Sequence, residues 1–223
     1  MRIAALYDVH GNLPALEAVL AEVAADAIVV GGDFVAGPWP AETLERLRGL
    51  DGDVRFIRGN ADREVYEEGP GMAPPEVMEF VRERLSPEDV DFLRTLPLTE
   101  TIGRTLFCHA TPRNDEEIFT RASPAERWGA ALAGVDADVV VCGHTHVQFD
   151  RRIGDVRLVN AGSVGMPYED EPGAYWALLD GADIELRRTE YTPGDLSAWP
   201  EEWPSATPDE ATELFERMSL ERY

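Results

Sequence analysis

The chain has 223 residues, 44% hydrophobic and 28% charged, enough for one domain of roughly 150 residues with a decorated end and not the composition of a disordered chain. No apolar run approaches the roughly 20 residues of a membrane span, and Met1 to Tyr7 reads as a strand without a basic n-region or cleavage site, so the expected location is the cytoplasm. All 20 basic residues are Arg, and 43 acidic residues leave a net charge of −23, a surface that repels polyanions and excludes general nucleic-acid binding.

A βαβ rhythm fills the first third. Ile3 to Tyr7 opens it as a strand. Asn12 is the expected N-cap, with Pro14 in the first turn, of a helix whose Leu13, Leu16, Val19, Leu20 and Val23 recur at helical spacing. Ala27 to Val30 is the second strand and runs into Gly31-Gly32-Asp33. A helix from about Ala41 to Arg48 leads to a third strand, Val54 to Arg58, closed by a turn at Gly59-Asn60-Ala61-Asp62. Helices follow at Pro75 to Leu85 and after Ser86-Pro87-Glu88-Asp89, where Ser86 can cap and the acids suit the helix dipole. Hairpins come next: Leu98 to Ile102 with Thr105 to Cys108 across Gly103-Arg104, and Gln148 to Ile153 with Val156 to Asn160 across Gly154-Asp155. Between them lie a helix near Pro124 to Leu132 and an apolar strand, Val139 to Cys142; Tyr175 to Leu179 and Ile184 to Arg188 pair last, across Asp180-Gly181.

These elements predict two sheets packed face to face with helices outside, as one domain over residues 1–193. From Gly194 onward eight acids against two Arg give a local charge of −6, with one helix from about Asp209 to Met218. Trp199 and Trp203 are expected to pack this acidic extension onto the domain. Cys108 and Cys142 read as small buried residues at strand ends, neither a disulfide framework nor ligands.

All four histidines fall in three motifs, Asp8-Val9-His10, Cys108-His109 and Gly143-His144-Thr145-His146, each just after a predicted strand. Residues i and i+2 of an extended segment point the same way, so Asp8 with His10, and His144 with His146, can each present two ligands to one side. Asp33 and Asn60 follow the second and third strands, at the sheet edge where α/β folds bind ligands. A lone histidine or Gly-Asp pair is a common accident, but these converge. Two Asp, one Asn amide oxygen and four imidazoles suit Mn, Fe, Zn, Ni or Co. Seven ligands exceed one tetrahedral ion and fit two ions sharing Asp33.

In order, D-x-H at 8–10, G-D at 32–33, G-N-x-D at 59–62, the isolated His109 and G-H-T-H at 143–146 resemble the calcineurin-like metallophosphoesterases. Asn160-Ala161-Gly162-Ser163 is similar to the stretch after the last ligand in the small bacterial and archaeal phosphodiesterase branch. The resemblance implies an α/β four-layer αββα sandwich of two mixed β-sheets with flanking helices, and two divalent ions, manganese first, with iron, nickel, zinc or cobalt as alternatives. Asp8, His10 and His146 would hold one ion, Asn60, His109 and His144 the other, with Asp33 bridging. The implied reaction is in-line attack by a shared hydroxide on a small phosphorylated or nucleotide substrate.

One departure stands out: Ala61 occupies the place of the family's usual catalytic histidine, and Asp62, which would orient that imidazole, has none to orient. Leaving groups of low pKa are therefore favoured. Arg113 is the expected phosphate clamp, weighed against a surface pair with Asp115 or Glu116. Trp39 and Tyr168 are read as packing residues that could also stack on a base. The alternatives are a non-catalytic interaction scaffold of the same fold, as in a vacuolar-sorting relative, a phosphomonoesterase, and a protein phosphatase, the last disfavoured by Ala61 and the acidic surface. Oligomeric state is left open.

Overall fold

In the computed structural model, which describes residues 1–200 and 202–222, the strands form two five-stranded mixed sheets. The first has the order β10-β9-β1-β2-β3. Here β1 (Arg2–Leu6), β2 (Ala27–Val30) and β3 (Asp53–Phe56) run parallel, with α1 (Leu13–Glu22) and α2 (Pro40–Arg48) as crossovers, while β9 (Ala174–Asp180) and β10 (Asp183–Thr189) are antiparallel neighbours. The second sheet, β4-β5-β6-β8-β7, comprises β4 (Thr99–Ile102), β5 (Thr105–Cys108), β6 (Val139–Cys142), β7 (Phe149–Ile153) and β8 (Val156–Asn160), with α6 (Ala125–Ala131) between β5 and β6.

Period-two alternation sorts the core into layers. Ile3, Ala5 and Tyr7 face the second sheet and pack with Val29, Phe107, Val141 and Ala177. Ala4 and Leu6 point the other way, onto Leu16 and Val19 of α1 and Leu44 and Leu47 of α2. In the second sheet Val140, Cys142 and Leu158 pack outward around Trp128 of α6. The Tyr7 hydroxyl donates to Val141 O at 3.0 Å, which satisfies the one polar atom that this residue carries between the sheets. This is the layered α/β architecture expected. Cys108 and Cys142 are both buried and unbridged, on the face beneath α6.

Two local readings need correction. β3 ends at Phe56, and Gly59-Asn60-Ala61-Asp62 does not merely close it: Asn60 opens a short helix, α3 (Asn60–Glu64), because Asp62 at the third position accepts the Gly59 N–H. The last hairpin turns at Gly181-Ala182, one residue later than expected, since Asp180 still pairs with Asp183 and Gly181 supplies the positive φ of 62°.

Helices α4 (Pro75–Arg82) and α5 (Pro87–Arg94) cover the outer face of the first sheet through Val77, Val81 and Leu93. The Ser86 hydroxyl caps α5 by accepting Asp89 N–H. The C-terminal segment carries α7 (Pro208–Arg222). Trp199 is buried against Phe80, ring centroids 5.4 Å apart, with Trp203 packed on it, and Ala211 and Phe215 of α7 pack with Ile118 and Val147. Thr120 donates to Glu216 at 2.6 Å, and Arg127 to Ser219 at 2.6 Å. On these contacts we propose that the segment after residue 193 is an extension of the domain rather than a second one. No described helix is long and apolar enough to cross a membrane.

Candidate metal centre

Five strand ends open on one edge of the sandwich, and each delivers one motif: Asp8 and His10 follow β1, Asp33 follows β2, Asn60 follows β3, His109 follows β5, and His144 and His146 follow β6. All seven side chains are buried. They do not point together through extended alternation, as the i, i+2 argument supposed. Among the described residues, the non-glycine positions with positive φ are Asp8, His10, Asp33, His144 and His146. The chain leaves each sheet through a left-handed step that turns the side chain inward. That conformation costs roughly 1 kcal/mol or more per residue, and its confinement to these five marks a site whose geometry the surroundings impose.

Six of the candidate ligands gather into two groups that could each hold a metal ion, Asp8 with His10 and His146, and Asp33 with His109 and His144. In the first, His10 Nδ1 contacts Ala36 O at 3.0 Å and His146 Nδ1 contacts Met166 O at 2.7 Å. Each Nδ1 must carry the proton to satisfy its carbonyl, which leaves both Nε2 atoms as lone-pair acceptors. Those two Nε2 atoms lie 3.1 Å apart, with Asp8 Oδ1 3.3 Å from that of His146. Three electron-pair donors thus face one another with no hydrogen between them, an arrangement that a cation satisfies. The second group gathers around His109, which the carboxylates of Asp33 and Asp8 hold in its charged form. His109 Nδ1 contacts Gly31 O at 2.9 Å, while its Nε2 lies 3.2 Å from His144 Nδ1 and 3.4 Å from Asp33 Oδ2. Buried polar atoms without a partner include Asp8 Oδ1, Asn60 Oδ1 and His144 Nε2, so the donor set fits a metal centre.

Supporting contacts fix each ligand. His144 N–H donates to Asp8 Oδ2 at 2.8 Å, and Ala61 N–H to Asp33 Oδ1 at 2.7 Å. A Cβ on Gly143 would lie 2.3 Å from Asp8 Oδ2, and one on Gly59 would lie 2.1 Å from Asp33 Oδ1, which explains a glycine before the ligand in G-H-T-H and in G-N-x-D. Asp62, without an imidazole to orient, accepts N–H bonds from Asp33 at 2.7 Å, Phe34 at 3.1 Å and Gly59 at 3.0 Å, tying the loop after β2 to the start of α3.

Glu64 is the residue that the sequence reading missed. Its carboxylate accepts Asn60 Nδ2 at 3.1 Å, Met72 N–H at 2.8 Å and Ala73 N–H at 3.1 Å. The amide nitrogen of Asn60 is thereby engaged and its oxygen left free. The only available signal, an acid four residues after Asn60, is equally the mark of a solvated helix face.

Burial and charge act together here. Burial, then the charge of His109, pushes His144 down to about 3, and burial lowers His10 as well. For Asp33, burial is outweighed by His109, His10 and His144, which hold its carboxyl below the usual range. In His109 burial is outweighed by Asp33 and Asp8, leaving it at about 10. Asp62 is pushed up to about 7 by burial and by the Asp33 charge.

The centre floors a cavity of ≈ 320 Å³, which His10, Asp33, Asn60, His144 and His146 line. Arg113 is not brought there. Its guanidinium pairs with Glu117 and donates to Ala130 O at 3.4 Å, while Asp115 is taken by Arg58 and Arg63. Trp39 sits against Gly194 outside the cavity, whereas Tyr168 lines it, stacked on His146 at 5.1 Å between ring centroids.

Residues 1–183 match the profile of the calcineurin-like phosphoesterase superfamily domain. The chain is 28% identical over 193 residues to phosphodiesterase YfcE of Escherichia coli strain K12, covering 80% of this chain and 87% of that protein. It is similar to the crystal structure of a metallophosphoesterase from Sphaerobacter thermophilus, with TM-score 0.73 and 26% identity over 86% of this chain and 89% of the other. Hypothetical protein PH1004 from Pyrococcus horikoshii OT3 shares the fold at TM-score 0.76 and 21% identity, over 99% of this chain and 93% of that one.

Proposed function

The chain belongs to the calcineurin-like phosphoesterase superfamily and is a metal-dependent phosphoester hydrolase; from that premise we propose that its reaction is the hydrolysis of a small phosphodiester at two divalent ions, manganese first. The observation that carries the metal requirement is the convergence of the Nε2 atoms of His10 and His146, 3.1 Å apart, beside Asp8 Oδ1, with His109, His144 and Asp33 gathered next to them as a second group. Asp8, His10 and His146 would hold one ion, Asn60, His109 and His144 the other, with Asp33 between them. When bound, such a pair lowers the pKa of a coordinated water and neutralises charge on the phosphoryl oxygens.

The chain's own residues orient and exclude. Backbone carbonyls lock the rings of His10, His109 and His146, and Glu64 turns the Asn60 oxygen toward the centre. Ala61 lines the cavity and offers no proton to a leaving oxygen, so aryl and other low-pKa leaving groups are favoured. Arg113 is not included among the acting residues, because Glu117 already holds it.

The test is to strip the protein of metal, reload it with Mn, Ni, Co, Zn or Mg, and assay bis(4-nitrophenyl) phosphate against 4-nitrophenyl phosphate. Diester turnover at least about tenfold above monoester turnover is expected, with Asp33→Asn losing both metal and activity. A monoester preference would overturn the diesterase reading. No turnover of either ester with any ion would leave the interaction scaffold.

A further inference from the structure

The wall of the metal cavity is unlike its floor. The floor is made of ligands, whereas the wall is apolar and comes from Met72 and Val77 before and within α4, and from Trp199, Leu214, Phe215 and Met218 of the C-terminal segment. Among the described residues no arginine lines it, and the chain contains no lysine. A second phosphate or a carboxylate on the substrate would therefore meet no counter-charge beyond the centre itself, in a chain of net charge −23.

Helical spacing explains how one helix both docks and lines the cavity. Ala211 packs onto Ile118 and Val147, Leu214 reaches the cavity, and Phe215 and Met218 do both. Leu214 is 44% exposed there, a large apolar side chain left open to water beside a cluster of charged groups. The C-terminal part of this wall lies beyond residues 1–183, the part matched by the family profile.

We infer that the C-terminal segment is a specificity wall that selects phosphodiesters whose retained ester group is a bulky apolar substituent, aryl or branched alkyl, over nucleosidyl and other polar groups. The inference rests on the phosphodiesterase reading and narrows its substrate class. Transfer of a ring-sized group from water to such a wall is worth about ten- to a hundredfold in affinity over a methyl group. Part of the cavity's wetted apolar surface, Leu214 included, is covered in the same step.

The experiment uses diesters that share the 4-nitrophenolate leaving group and differ only in the retained group: methyl, phenyl, choline and thymidine 5′ esters. The metal-loaded protein should turn over the phenyl ester with kcat/KM about ten- to a hundredfold above the methyl ester, chiefly through KM, and the thymidine and choline esters no faster than the methyl. Leu214→Asp should lower the phenyl-to-methyl ratio at least about fivefold; Leu214 is half exposed already, and a thermal melt checks the fold. Equal kcat/KM for phenyl and methyl, or a preference for the thymidine ester, would overturn the inference, and an unchanged ratio in Leu214→Asp would remove the C-terminal segment from it. Should no ester be turned over, the phosphodiesterase reading fails separately, and calorimetry with phenylphosphonate against methylphosphonate decides the wall: tighter phenylphosphonate binding upholds it, equal binding overturns it.

Discussion

Gly143 and Glu64 show two different kinds of residue on which the ligands depend. A methyl at Gly143 would press on Asp8 Oδ2 at 2.3 Å and on the Tyr7 ring at 2.6 Å, so the bond from His144 N–H to Asp8 has to open. Gly143→Ala is expected to lose at least one metal equivalent by elemental analysis; two retained equivalents would show that the ligands tolerate the shift. Glu64→Ala leaves the Asn60 amide and the Met72 and Ala73 N–H groups without an acceptor. Each loss costs about 1–3 kcal/mol, so destabilisation of about 3 kcal/mol is expected in urea unfolding, with Glu64→Gln costing less because one carbonyl oxygen remains. Equal stability of Glu64→Ala and wild type would remove this role. The two residues also mark what a sequence discloses at this scale. Aspartate and histidine types announce ligand chemistry by themselves, and glycine before each announces close approach. Glu64 carries no such mark, because its function lies in the direction of its side chain. Arg113 shows the reverse, a residue type suited to phosphate but spent on Glu117 four residues away.

Elements were legible where local rules and packing agree. The hairpins across Gly103-Arg104 and Gly154-Asp155 pair Ile102 with Thr105 and Ile153 with Val156, as two-residue turns with positive φ at the glycine require. Asn12 caps α1 with Pro14 behind it, accepting Ala15 N–H at 3.3 Å. α3 reads as a turn in the sequence because five residues are too few for a periodic signal. For α7 the periodicity is visible but not what it faces, since Leu214 and Met218 gain meaning only beside strand ends that are distant in sequence. Docking of α7 gives a prediction of its own. Glu216 accepts the Thr120 and Ser123 hydroxyls, both of which are buried, and lies 3.7 Å from Arg127. In Glu216→Ala those hydroxyls lose their acceptor, at about 1–3 kcal/mol. Amide exchange in α7 should then quicken about ten- to a hundredfold, with exchange in α1 unchanged. Unaltered exchange in α7 would mean that Ala211 and Phe215 hold the helix by apolar contact alone.

For the whole molecule the centre is a concentration of buried carboxyl groups and strain within an already acidic protein. Asp8, Asp33 and Asp62 are all buried within the linked loops after β1 and β2 and the start of α3, and five ligand residues hold left-handed backbone. A divalent ion that binds only the folded arrangement draws on both features, adding RT ln(1 + [L]/Kd), about 2.7 kcal/mol at a hundredfold excess over Kd. For a chain of this length each kcal/mol moves Tm by roughly 2–4 °C, so micromolar Mn or Zn should raise the Tm of metal-stripped protein by about 5–10 °C. The net charge of −23 supplies a competing explanation, because any salt screens surface repulsion and stabilises without a site. The two separate by concentration and by variant. Screening needs tens of millimolar salt and should act alike on wild type and on His146→Gln, whereas the micromolar rise should shrink by at least half in His146→Gln, which removes one of the paired Nε2 donors. The measurement is calorimetric Tm against added Mn, Zn and NaCl for both proteins. A micromolar metal effect of equal size in His146→Gln would place the stabilising ions on the acidic surface rather than at the strand ends.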